Sequence, residues 1–148
     1  MLGIKFARLI ENNCELLGEG LVQKLRASGR TDAYRSIPEH ELMHDVQVLY
    51  RNISEWLVTR TELDVQQYYN RIGMRRAEQG VPIGQFVWAL ILGKEHLWSF
   101  MEREAVTGGA LELVNELGFL LALEQFFDRA LYHAVNGYMQ QQKKRIAA

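Results

Sequence analysis

The segment His40-Glu41-Leu42-Met43-His44 satisfies H-E-x-x-H, in which two histidines one helical turn apart grip zinc and the glutamate activates water. A zinc metallopeptidase needs more than these three residues. A third protein ligand has to come from elsewhere, such as Glu55 or Glu62, and a sheet edge usually holds the substrate extended. No strand is in view to supply that edge, so two ordinary, partly exposed helix histidines outweigh catalytic zinc. A second constellation places His96 among Phe86, Trp88, Trp98 and Phe100, where it could ligate haem iron in a haem-binding globin-type sensor. Aromatic stripes at helical spacing are more often core, and a lone histidine beside Glu95 is more often a solvated or hydrogen-bonded helix residue. Cys14 has no fixed base or cationic setting in view and reads as a structural thiol. Gly18, Gly20, Gly108 and Gly109 fit neither the phosphate loop nor the dinucleotide fingerprint. No catalytic, cofactor-binding or metal-ligating residue is assigned, and no cofactor is expected.

These residues sit in a chain of 148 with 48% apolar and 24% charged residues, enough for one core. Seventeen Lys and Arg against eighteen Asp and Glu give a net charge of −1, which argues against nucleic acid as a partner. The sequence opens without a long apolar stretch ending in a cleavage site, and one cysteine cannot form an internal disulfide; both fit a cytoplasmic protein. The stretch from Val81 to Met101 is interrupted by Gln85, Lys94, Glu95 and His96, so it reads as a core helix and no membrane span is expected.

Two prolines and few turn signals leave little room for strands, and the apolar spacing is helical throughout. Phe6, Leu9, Ile10, Leu17, Leu21 and Leu25 define a first helix that Gly18 and Gly20 would bend, or open to a close neighbour. Ser36 and Glu39 suggest a capping box for a second helix, whose stripe Leu42, Val46, Leu49, Ile53 and Trp56 runs to about Arg60. Thr61 caps a third, with Leu63, Val65, Tyr68, Tyr69 and Ile72 inward and Gln79-Gly80 closing it. Val81-Pro82 opens a fourth, ending before Gly108-Gly109. The last starts near Ala110 and carries Leu113, Leu117, Leu120, Phe127, Leu131, Ala134 and Tyr138. At ~1.5 Å per residue it would span on the order of 50 Å, more than a domain of this mass needs.

The distinctive segment is Arg71-Ile72-Gly73-Met74-Arg75-Arg76-Ala77-Glu78-Gln79-Gly80-Val81-Pro82-Ile83, followed by Gln85-Phe86-Val87-Trp88-Ala89-Leu90 and Lys94-Glu95-His96-Leu97-Trp98. From about Ala33 through Tyr138 the pattern resembles the N-terminal sensory domain of the RsbT co-antagonist proteins, the RsbRD type. That resemblance implies a non-haem, globin-like helical module of the bacterial stress response. Such a module dimerises and passes its signal to an output domain such as a STAS or histidine-kinase module. The sequence departs from that setting at Ala148, where it stops without an output domain.

The expectation is an all-α single domain over residues 1–148, with five or six amphipathic helices in globin-like or helical-bundle packing and a long C-terminal helix. Residues 139–148 would form a polar connector. Phe86, Trp88 and Trp98 are expected in the core or an internal pocket, and Phe127, Leu131 and Tyr138 on a helix that pairs two subunits. Arg71, Arg75 and Arg76 read as a solvated face paired with Glu78 and nearby acids.

Overall fold

A computed structural model describes residues 5–106, 114 and 116–147. Its α-helices are α1 (Lys5–Asn12), α2 (Cys14–Ala27), α3 (Glu39–Arg51), α4 (Ile53–Val58), α5 (Glu62–Glu78), α6 (Ile83–Val106) and α7 (Leu117–Ala147). A 3-10 helix, Gly29–Ser36, joins α2 to α3, and there is no strand among the described residues. The chain is all-α. The expected boundary at Gly108-Gly109, the start near Ala110 and the apolar position Leu113 lie outside the described residues.

Two of the expected helices are each broken once, and the breaks share a cause. The Asn13 side-chain amide donates to Leu9 O at 2.7 Å, and that of Asn52 donates to Val48 O at 2.9 Å. Each asparagine thus turns back on the carbonyl one turn earlier, and its backbone leaves the helical region near φ −112° and −117°. The apolar stripe survives the second break: Leu42, Ile53 and Trp56 are all buried on one side of α3 and α4. Helix α2 runs unbroken through Gly18 and Gly20. They admit neighbours instead, for a Cβ at Gly20 would lie 3.0 Å from His96 Cε1 and one at Gly18 3.0 Å from Gln47 Cγ.

The Ser36–Glu39 capping box does not form. Ile37 N–H donates to Tyr34 O and closes the 3-10 helix over Ser36, and Pro38 then occupies the position before α3. The reciprocal box is at Thr61, whose Oγ1 accepts from Asp64 N–H while Asp64 Oδ2 accepts from Thr61 N–H. At the other end of α5, Val81 N–H donates to Arg76 O and Gly80 N–H to Ala77 O. This double closure needs a left-handed residue, and Gly80 at φ 77° supplies it.

Helices α5 and α7 form the most extensive pair and run in the same direction. Glu62 at the start of α5 meets Arg129 and His133, while Ala77 near its end accepts from Arg145. Between these points the backbones touch at two glycines. A Cβ on Gly73 would fall 1.9 Å from Ala134 O, and one on Gly137 2.1 Å from Asn70 O. The buried stripe of α7 is Phe119, Leu123, Phe126, Ala130, His133 and Gly137, with Ala134 and Tyr138 beside it. That is one residue out of step with Leu120, Phe127 and Leu131 of the expected stripe, whose Ala134 and Tyr138 are buried as expected. Leu117 is exposed, as is Leu63 at the start of α5.

Candidate functional site

A cavity of about 130 Å³ lies where α2, the 3-10 helix, α3, α5, α6 and α7 converge. Leu21 and Leu25 come from α2, and Leu42, Val46, Leu49 and Tyr50 from α3. Phe86, Ala89 and Leu90 form the α6 wall, and Phe127, Ala130 and Leu131 the α7 wall. Their helical spacing turns one side of each element toward the same space. Tyr50 is fully buried, donates its hydroxyl to Gly93 O at 3.3 Å, and has its phenol pKa pushed up by that burial. Val46, Leu49, Leu90, Phe127 and Leu131 remain only partly covered, so the cavity reaches the surface between α3, α6 and α7.

One end is polar. The Arg76 guanidinium, 4% exposed, donates to Asp45 Oδ2 at 2.7 Å and to Gln79 Oε1 at 3.0 Å. Arg75 reaches the same aspartate at 3.4 Å and Glu41 at 3.3 Å, and Gln79 closes the ring by donating to Glu41 at 2.9 Å. Tyr34 lies under Arg76, with its ring centroid 5.7 Å from the guanidinium carbon. Burial pushes its phenol up to about 12 against the opposing pull of Arg76. The expected solvated basic face is therefore corrected: Arg75 and Arg76 pair with Glu41 and Asp45 on α3, across the fold. Arg71 turns along its own helix to Gln67 O. With carboxylates and guanidiniums satisfying one another, the site offers shaped apolar space rather than a poised proton-transfer pair.

Of the three aromatic residues expected at a pocket, Phe86 lines this cavity and stacks on Tyr138 with ring centroids 5.7 Å apart. Trp88 lies elsewhere, under Arg30, whose guanidinium carbon is 4.6 Å from its ring centre. Trp98 packs against the core, its buried indole N–H without a hydrogen-bond partner among the described residues. Phe127 and Leu131 face the cavity, and Tyr138 is buried within the chain, donating its hydroxyl to Val81 O at 2.6 Å. Asp45, Arg76 and Tyr34 were not visible as a site, because their partnership crosses more than thirty residues of chain. The small residues Gly73 and Ala77, one turn apart on α5, were the available signal for close helix approach.

His96 is spent on structure. Its Nε2 lies 2.9 Å from Leu17 O, an acceptor only, so Nε2 carries the proton, and Nδ1 accepts from the Lys24 ammonium at 2.9 Å. Neither nitrogen is left for iron. Burial, then Lys24 and more distantly Arg103, lower the pKa of His96 from 6.5. A depressed folded-state value means that the unfolded chain takes up the proton first, so stability falls as pH drops below about 6.5 and is unaffected above it. Urea unfolding at pH 7.5 and 5.5 measures this loss, which His96→Gln should reduce; equal loss in both proteins would assign it elsewhere. His40 and His44 are exposed, and Glu41 between them is committed to Arg75 and Gln79. Among the described residues no group of three or more His, Cys, Asp and Glu could hold a metal ion.

The fold and its cavity define a class: an all-α domain with no described helix long and apolar enough to cross a membrane, built on a parallel α5–α7 pair. The family described as the RsbT co-antagonist protein rsbRD N-terminal domain matches residues 59–148, and the chain belongs to it. The matched stretch is α5 to α7, starting later than the resemblance from Ala33 and running to the final residue. No curated protein and no solved structure matches the chain. The family is one of regulatory co-antagonist domains.

Proposed function

We propose that this chain is the sensory part of a bacterial stress-response protein, that it works as a homodimer, and that α7 relays its state. The recipient is an output domain such as a STAS or histidine-kinase module, in the cytoplasm. In this reading the chain is not an enzyme, needs no cofactor, and engages neither nucleic acid nor membrane. Family membership supports the regulatory role, and one structural observation supports the pairing of two copies: α7 carries two apolar faces. Its inner stripe is occupied by α5. On its outer side Leu121, Tyr132, Met139 and Ile146 are all about half or more exposed, the last at 85%. Tyr132, Val135, Met139, Gln142 and Ile146 follow alternating three- and four-residue steps, the spacing of a seam between two paired helices.

Phe127, Leu131 and Tyr138 face into the chain, so the pairing surface proposed is this outer stripe. A cue acts by favouring one of two dimer packings, and only by its differential affinity for them. Light scattering on the isolated chain tests the first step. A dimer is expected, with Tyr132→Glu combined with Met139→Glu giving a monomer of unchanged helicity. A wild-type chain that stays monomeric at high concentration would remove the mechanism.

A further inference from the structure

The cavity's volume of about 130 Å³ is close to the ~150 Å³ of an engineered cavity that takes up benzene. We propose that it is a binding site for an uncharged, apolar small molecule, about the size of one aromatic ring or a short alkyl chain. Leucine, isoleucine, valine and phenylalanine dominate the lining, and filling the space would bury apolar surface now facing water.

The charges at the site decide against an ionic ligand. Asp45 and Arg76 are each other's counter-ion at 2.7 Å, with Arg75 and Gln79 completing the set, and Lys94 is paired with Glu124 at 3.0 Å. Asp128 stands exposed at the rim. An entering carboxylate would meet Asp45 beside Arg76, and an entering ammonium would meet Arg76 beside Asp45. The carboxylate would lose hydration without gaining an uncommitted cation, and the ammonium would gain only Asp128, whose exposed rim position leaves any pairing screened by water. Tyr50 already gives its proton to Gly93 O. What is left for a ligand is contact area.

The site also joins two parts of the chain. Leu21, Leu25, Leu42, Val46 and Leu49 precede the family-matched stretch, while Phe86, Phe127 and Leu131 belong to it. An occupant would therefore touch α3 and α7 together. That it thereby signals rests on the proposed relay through α7; that it binds does not.

Titrating the full chain with toluene and indole, and with benzoate and benzylammonium as charged counterparts, tests the assignment by NMR chemical shifts and thermal unfolding. Toluene and indole should shift residues around the cavity saturably and raise Tm, with the charged pair at least about tenfold weaker. Val46→Phe fills the cavity from its rim and Ala89→Leu from its α6 wall. Either variant that retains wild-type helicity should bind toluene about tenfold more weakly. No saturable shift up to the solubility limit, benzoate or benzylammonium binding as tightly as toluene, or undiminished toluene binding in a folded filled variant would overturn the proposal. Light scattering on the same samples keeps the questions apart, since a monomer that binds toluene refutes the relay and leaves the site standing.

Discussion

Asp45→Ala should lower the stability of the chain by about 3 kcal/mol, because it takes the close counter-ion, at 2.7 Å, from an Arg76 guanidinium that is only 4% exposed and leaves it the more distant Glu41 at 4.0 Å. The cost lies less in the lost attraction than in a charge kept from water with only Gln79 and the more distant Glu41 left beside it. Arg75, at 38% exposure, loses a partner too but can turn to solvent, so its share is small. For a chain of this length the loss corresponds to a fall in Tm on the order of 10 °C. The combined Asp45→Leu and Arg76→Met variant removes both charges while keeping the volume, and should recover most of the stability lost in Asp45→Ala. Thermal and urea unfolding of the three proteins decide it. A single variant within about 1 kcal/mol of wild type would mean that the guanidinium finds water, and that the polar end of the cavity is wet.

Gly73→Ala should cost about 3 kcal/mol or more, at or beyond the top of the usual range for overpacking. Replacing glycine by alanine inside a helix ordinarily stabilises by about 1 kcal/mol, so the expected sign is reversed. The reason is the partner of the new methyl: its nearest neighbour, at 1.9 Å, is the Ala134 carbonyl oxygen, which belongs to backbone and has no rotamer to change. Helices α5 and α7 would have to separate along their length, loosening the buried stripe of α7 and the Tyr138 hydrogen bond to Val81 O. Gly84 is the control. A Cβ there meets nothing within 4 Å, so Gly84→Ala should be neutral or stabilising by up to about 1 kcal/mol. If the two variants unfold at the same temperature, the close approach of α5 and α7 is wrong.

These two sites differ in how far the sequence announces them. Gly73 and Gly137 are visible as glycines inside strongly helical patterns, a costly placement that already asks for a reason. Asp45 and Arg76 look like ordinary charged residues on amphipathic helices, and only the packing of α3 against the end of α5 removes them from water. The histidines divide the same way. His96 sits on a helix legible from its period, but its use as a hydrogen-bonded link to Leu17 O and Lys24 comes from a helix more than seventy residues away.

Local chemistry reads from the chain alone at some helix ends and not at others: the Ser36–Glu39 box does not form, and the breaks at Asn13 and Asn52 depend on side-chain turns that compete with the helix. Thr61 caps α5 as read, Gly80 ends it, and the stripe from Leu42 to Trp56 is buried at both ends, because each depends on neighbours at fixed covalent distance. The all-helical class follows from the same short-range rules. Which side of α7 lies against α5 did not follow. Counting large apolar residues favours Phe127, Leu131 and Tyr138, which do face into the chain, whereas the backbone of α5 is met along the adjoining stripe through Ala130, His133 and Gly137. Small residues there let the two backbones touch, so that many weak contacts over a close interface outweigh a few larger side chains, and that preference exists only once the partner helix is in place.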